Sequence, residues 1–146
     1  MKSTTQILRS KSEQGVYTVT PTTSVFDAVM LMDEKNIGAL VVMVDEKVVG
    51  IVNEREVARK IALLGLSSKQ TPVRDVMASV VMYVNPDQTN EECMALMTET
   101  RLRHLPVMHD GKLIGLVSIG DLVKDIISEQ KFIIEQLQHY ITGDLG

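Results

Sequence analysis

The chain contains its own copy. Residues 16–57 align on residues 81–122 without a gap, and about a third of the aligned pairs are identical. Val19-Thr20-Pro21 falls on Val84-Asn85-Pro86, Leu40-Val41-Val42-Met43-Val44-Asp45 on Leu105-Pro106-Val107-Met108-His109-Asp110, and Gly50-Ile51-Val52 on Gly115-Leu116-Val117. Ungapped agreement of that length marks a duplication, so each copy must fold in the same way. One copy of roughly 50 residues buries too little surface to be secure alone. The two are expected to pack together and share one core, leaving a pseudo-twofold cleft along their seam, a usual place for a small ligand.

Each copy reads strand, helix, strand, strand, helix. A short β-rich run over residues 16–19 is closed by Pro21. Ser24 opens a helix, with Asp27 three residues on in capping-box spacing. Val25, Ala28, Val29 and Met32 recur at i, i+3, i+4 and i+7, one apolar stripe facing a sheet. The near-continuous apolar run 39–44 suits a strand buried on both faces. A turn at Asp45-Glu46 leads to a strand over 47–52, and Asp110-Gly111 makes the same turn a stronger hairpin signal in the second copy. The closing helices begin near Asn53 and near Ser118. Between the copies lie a Gly/Ser-containing connector, 64–69, and a helical turn over 71–77 with Pro72 at its first position. The last helix, from Asp121 to about Tyr140, is longer than its counterpart. Its stripe of Leu122, Ile126, Ile133, Leu137 and Tyr140 is expected to pack on its own domain. The chain thus divides into an N-terminal segment (1–11), a first repeat (12–66), a connector with a short helix (67–80), a second repeat (81–130), and a helix extension and tail (131–146). The tail from residue 142 is expected to fray.

Composition removes several functions. Aromatic residues are 3% of the chain, with no Trp, which makes a poor base-stacking surface. A net charge of −4 argues against binding driven by phosphate neutralisation, so no nucleic acid is expected. Cys93 is the only cysteine, which excludes an intrachain disulfide and a thiolate metal cluster. Its expected role is core filler on a helix. The start of the chain is polar, without the apolar stretch of a signal peptide. No apolar run approaches the roughly 20 residues that span a bilayer. A cytoplasmic, soluble protein with no membrane partner is expected. No His, Asp or Glu group has metal-ligand spacing, and His109 and His139 read as solvated. With no nucleophile–base pairing, phosphate loop or dinucleotide fingerprint, the pattern leans away from catalysis.

The repeat, with Gly-hydrophobic-hydrophobic-Ser-x-x-Asp after its last strand, resembles the CBS domain. Two copies resemble a tandem CBS pair, or Bateman module, of α/β class with a β-α-β-β-α order in each repeat. The resemblance runs from about Ser12 to Gln130. Arg103-His104-Leu105-Pro106-Val107 and Gly115-Leu116-Val117-Ser118-Ile119-Gly120-Asp121 are its most specific pieces. The segment 50–60 and the ending 134–143 are similar to small stand-alone CBS-pair proteins. The resemblance implies a regulatory sensor, not an enzyme. Such a module binds an adenine nucleotide in a seam cleft, AMP first, then NAD or ATP and ADP, with S-adenosylmethionine an alternative. It further implies a homodimer and an effector protein whose identity the chain does not encode. By the same resemblance Asp121 takes the ribose hydroxyls, Ser118 sits near phosphate, and Arg103 and His104 approach the phosphates. Ser12, Tyr17, Ile37 and Gly38 form the opposite wall.

Chemistry gives those roles independent sense. A carboxylate accepts two hydrogen bonds at once, as a vicinal diol requires. A hydroxyl at a helix start lies among free N–H groups at the positive dipole end. Arg offers a planar fork to phosphate oxygens. Yet Ser118-x-x-Asp121 also has capping-box spacing, as do Asn53-x-x-Glu56, Ser24-x-x-Asp27 and Thr89-x-x-Glu92, so the tetrapeptide alone is explained by capping, and it is the repeat, the preceding Gly-hydrophobic strand and Arg103-His104 that favour a nucleotide. The first copy departs from the pattern, with Asn53 for Ser and Glu56 for Asp. A weaker second site with Asn53, Glu56, Arg55 and Arg59 is the expectation there, although both arginines read equally as solvated helix charges. A CBS-fold interaction module that binds no nucleotide, and an unrecognised nucleotide hydrolase, are the alternatives.

Overall fold

The computed structural model describes residues 2–10, 16–79 and 82–142. Its order is α1 (Thr4–Ser10), β1 (Thr18–Val19), α2 (Val25–Lys35), β2 (Ala39–Val44), β3 (Lys47–Asn53), α3 (Glu54–Leu64), a 3₁₀ turn (Val73–Asp75), α4 (Asn90–Thr100), β4 (His104–His109), β5 (Lys112–Ser118) and α5 (Ile119–Thr142). The duplication is visible in the main strand pairings. β1 runs parallel to β2 through Val19 and Val42, and an isolated parallel bridge joins their counterparts Val84 and Val107. The β2–β3 and β4–β5 hairpins are antiparallel, with the same register shift after Val42 and after Val107.

Local chemistry sets the boundaries. The Asp27 N–H donates to Ser24 Oγ at 3.1 Å, starting α2, and Asn36 ends it in the left-handed region. Thr89 and Glu92 cap α4 reciprocally. Asp45 and Glu46 turn the first hairpin at φ 47° and 66°, whereas Asp110 and Gly111 turn the second at 51° and 76°. Glycine holds that backbone without penalty and Glu46 does not. Pro72 stands just before the 3₁₀ turn as its cap, one place earlier than the sequence suggests.

Burial falls in two clusters, not in one shared core. The first gathers Val25, Ala28, Met32, Leu40, Val42, Val52, Val57, Val73 and Val76. The second gathers Ile7, Val84, Cys93, Met97, Leu105, Val107, Val117 and Leu122. Each is completed by the segment that leads into the other repeat. The Val25 N–H donates to the Thr71 carbonyl (2.9 Å) and the Val73 N–H to that of Thr23 (2.7 Å). In the second repeat the Asn90 N–H donates to the Lys2 carbonyl (3.1 Å) and the Thr4 N–H to that of Gln88 (2.8 Å). Val76 fills the first core as Ile7 fills the second. The polar N-terminal segment therefore holds a helix docked on the second repeat.

The far half of α5 departs from expectation. Leu122 is buried and Ile126 partly so, but Ile133, Leu137 and Tyr140 are exposed, together with Phe132, Ile134 and Ile141. The helix outruns the sheet it packs on, so these side chains of its last turns are left uncovered by the described residues. Residues 143–146, most of the tail expected to fray, lie outside the described residues.

Candidate functional site

A cleft of about 500 Å³ opens at the seam, within the range of about 300–1,000 Å³ usual for small-molecule sites. The first repeat supplies Tyr17, Ile37 and Gly38, the second His104, Ser118 and Asp121. Tyr17 and Ile37 also pack on the first core, which fixes them as an apolar wall. The Lys35 ammonium stands 5.3 Å from the centre of the Tyr17 ring. Six of the eight residues expected in the stronger site thus come together. Ser12 lies outside the described residues. Arg103 is exposed and does not line the cleft. It is the counterpart of Gly38: the Ile119 N–H donates to the Arg103 carbonyl (2.9 Å) as the Glu54 N–H does to that of Gly38 (3.0 Å).

The start of α5 forms a reciprocal cap. The Ser118 N–H donates to Asp121 Oδ2 at 2.8 Å, and the Asp121 N–H donates to Ser118 Oγ at 3.1 Å. Capping is therefore real here, and it orients the carboxylate. The same cap leaves the positive end of a 24-residue helix at the cleft.

The first repeat's helix start differs. The Glu56 N–H donates to Asn53 Oδ1 at 2.8 Å, and the Glu56 carboxylate lies 3.6 Å from Arg59. Asn53, Arg55, Glu56 and Arg59 do not line the cleft, and Arg55 and Arg59 are exposed. The ion pair across one helical turn fits solvated helix charges.

The cleft also holds residues that sequence reasoning did not single out. Lys124, Asp125 and Ser128 share its α5 wall, and Lys2 and Ser10 reach it from the docked N-terminal segment. Asp125 and Ser128 follow Asp121 at i+4 and i+7, so helix periodicity was signal enough to find them. Lys2 arrives through long-range docking, which no local pattern encodes. Other chemistry is thin. Cys93 is buried, 3.4 Å from Thr4 Oγ1, and burial pushes its thiol up, away from the reactive thiolate. Among the described residues no group of His, Cys, Asp or Glu could hold a metal ion, and no helix is long and apolar enough to cross a membrane.

Comparison with known proteins agrees with the duplicated fold. The family model described as CBS domain matches twice, over residues 12–63 and 73–128. The chain is 39% identical over 141 residues to the CBS domain-containing protein CBSX3, mitochondrial, of Arabidopsis thaliana, covering 92% of this chain and 68% of that one. It is similar to the structure of a CBS-domain protein from Burkholderia ambifaria, with TM-score 0.83 and 53% identity, over 88% of this chain and 96% of that one. At 18% identity and TM-score 0.76 it shares the fold of the CBS domain pair of protein MJ0100, solved with 5′-methylthioadenosine and S-adenosyl-L-methionine, over 88% of this chain and 98% of that one.

Proposed function

The chain belongs to the CBS-domain family, as a tandem pair, and on that footing we propose that it is a non-catalytic regulatory module that reversibly binds an adenine nucleotide in its seam cleft. The single observation that carries this reading is the cleft itself. One wall presents Ser118 and Asp121 at a helix start, and the opposite wall presents Tyr17, Ile37 and Gly38 of the other repeat. In this reading Asp121 accepts the ribose hydroxyls and Ser118 with the α5 N-terminus meets phosphate. Tyr17 and Ile37 flank the base, and His104 is a further polar contact. AMP is the first choice, then NAD or ATP and ADP, with S-adenosylmethionine next. A CBS domain pair of the same fold, solved with two adenosine compounds, supports an adenosine-containing ligand.

A ligand touching both repeats shifts the module between two arrangements only in so far as it binds them unequally. We also propose a homodimer through the exposed apolar residues of α5, which transmits that shift to an effector protein. Calorimetric titration of the full chain with AMP, ADP, ATP, NAD and S-adenosylmethionine tests the reading. Saturable binding to at least one is expected, and none by any would end it. A second reading, an interaction module without nucleotide, is favoured by one observation: the Ser118–Asp121 cap gives both residues a structural task.

A further inference from the structure

We infer that Asp125, held by Asn90 and Lys2, acts on the cleft's ligand through its charge and makes the cleft favour adenosine ligands of low negative charge over polyphosphates. The inference rests on the nucleotide reading above and adds a charge class to it.

The duplication provides an internal control. Where the second repeat has Asn90, Asp125 and the docked Lys2, the first has Val25, Lys60 and Thr71. Val25 is simply buried in the first core, and the Lys60 ammonium donates to the Val76 carbonyl at 3.3 Å. The fold therefore does not require the polar trio.

In the second repeat the Asp125 side chain is only 5% exposed, and its Oδ1 lies 3.1 Å from the Lys2 ammonium. Its Oδ2 accepts from Asn90 Nδ2 at 2.8 Å, and the same amide donates to the Leu122 carbonyl at 3.0 Å. Oδ1 has no hydrogen-bond donor among the described residues, so its tie to Lys2 is one of charge. Leaving a buried carboxylate short of donors is costly. Asp125 and Lys2 both line the cleft. Asp125 lies about 6 Å from Asp121 along α5, one turn on, within reach of a ligand held there.

The described residues lining the cleft carry two ammonium groups, Lys2 and Lys124, against two carboxylates, Asp121 and Asp125. A triphosphate brings several negative charges towards those carboxylates. If it captures Lys2, it strips a buried anion of its counter-charge. A nucleoside does neither, and a monophosphate brings fewer charges to do either.

The test is calorimetric titration of the full chain with adenosine, AMP and magnesium-free ATP. AMP is expected to bind at least about tenfold more tightly than ATP. Asp125→Asn, which keeps an oxygen for the Asn90 amide, narrows that ratio. Lys2→Gln, measured on folded protein, widens it. ATP binding as tightly as AMP overturns the inference and leaves nucleotide binding in place. So does a ratio that stays fixed in folded Asp125→Asn or in folded Lys2→Gln. No binding by any of the three overturns both.

Discussion

Leu8 lies over Gly115 as Met77 lies over Gly50. A Cβ on Gly115 would fall 2.6 Å from Leu8 Cδ1, and one on Gly50 would fall 2.6 Å from Met77 Sδ. The two contacts differ in what must yield. At Gly115 the obstacle is the end of a flexible side chain. At Gly50 it also includes the Ala78 carbonyl oxygen at 2.8 Å, on a strand-like segment that exchanges two hydrogen bonds with Ile51.

Gly50→Ala is therefore expected to cost about 2–3 kcal/mol and Gly115→Ala about 1 kcal/mol, the overpacking range. Urea unfolding of both variants measures the difference. Equal costs would mean that Ala78 moves as freely as Leu8.

The two hairpins offer a second comparison. Glu46 holds φ 66° where the other copy has Gly111. Glu46→Gly is expected to stabilise by about 0.5–1 kcal/mol, relief of left-handed strain less the entropy glycine loses. Gly111→Ala should lose a similar amount. A fall in thermal midpoint for Glu46→Gly would contradict this.

Asp121 has a cap to keep and a proposed ligand to hold. Asp121→Ala should cost about 1 kcal/mol of stability and abolish nucleotide binding in calorimetry. Glu56→Ala, outside the cleft, should leave affinity unchanged. Weaker folding with intact affinity in Asp121→Ala would return the residue to a purely structural role.

Cys93 should react with thiol reagents only as fast as the protein opens, which the rate with and without urea reveals. Its thiol is raised mainly by burial, partly offset by the Thr4 hydrogen bond, with Glu92 adding to the rise. The unfolded chain therefore loses this proton first. The associated stability is full below the ordinary thiol value of 9.0 and is lost as pH climbs through the raised folded one.

The proposed homodimer predicts that Ile133→Asp with Leu137→Asp yields a monomer by light scattering. Both side chains are exposed, so the monomer fold should change little. An unaltered mass would place the interface elsewhere.

Most of the architecture was readable because it is written twice. Strand runs such as Ala39–Val44 and caps such as Ser24 and Thr89 are local signals, repeated at equivalent positions. α1 escaped because it is seven residues long and its main anchor is Ile7, buried in a core built almost a hundred residues later. The cleft was half readable. Ser118 and Asp121 sit in a motif, Asp125 follows by helix period, but Lys2 depends on docking across the chain. The stripe on α5 was legible as a stripe, whereas the neighbour it needs is a tertiary fact that periodicity does not carry.

The crossed docking of the two lead-in segments has a consequence for any attempt to divide the molecule. A cut after Leu66 leaves the first piece carrying a helix that belongs to the second, and the second piece carrying Val73 and Val76, which belong to the first. Neither fragment can close its own interior, but mixed together they hold every part required. By the same logic a half-length forebear could have completed itself only by trading leading ends with a twin, and fusion turned that trade between chains into a bond within one.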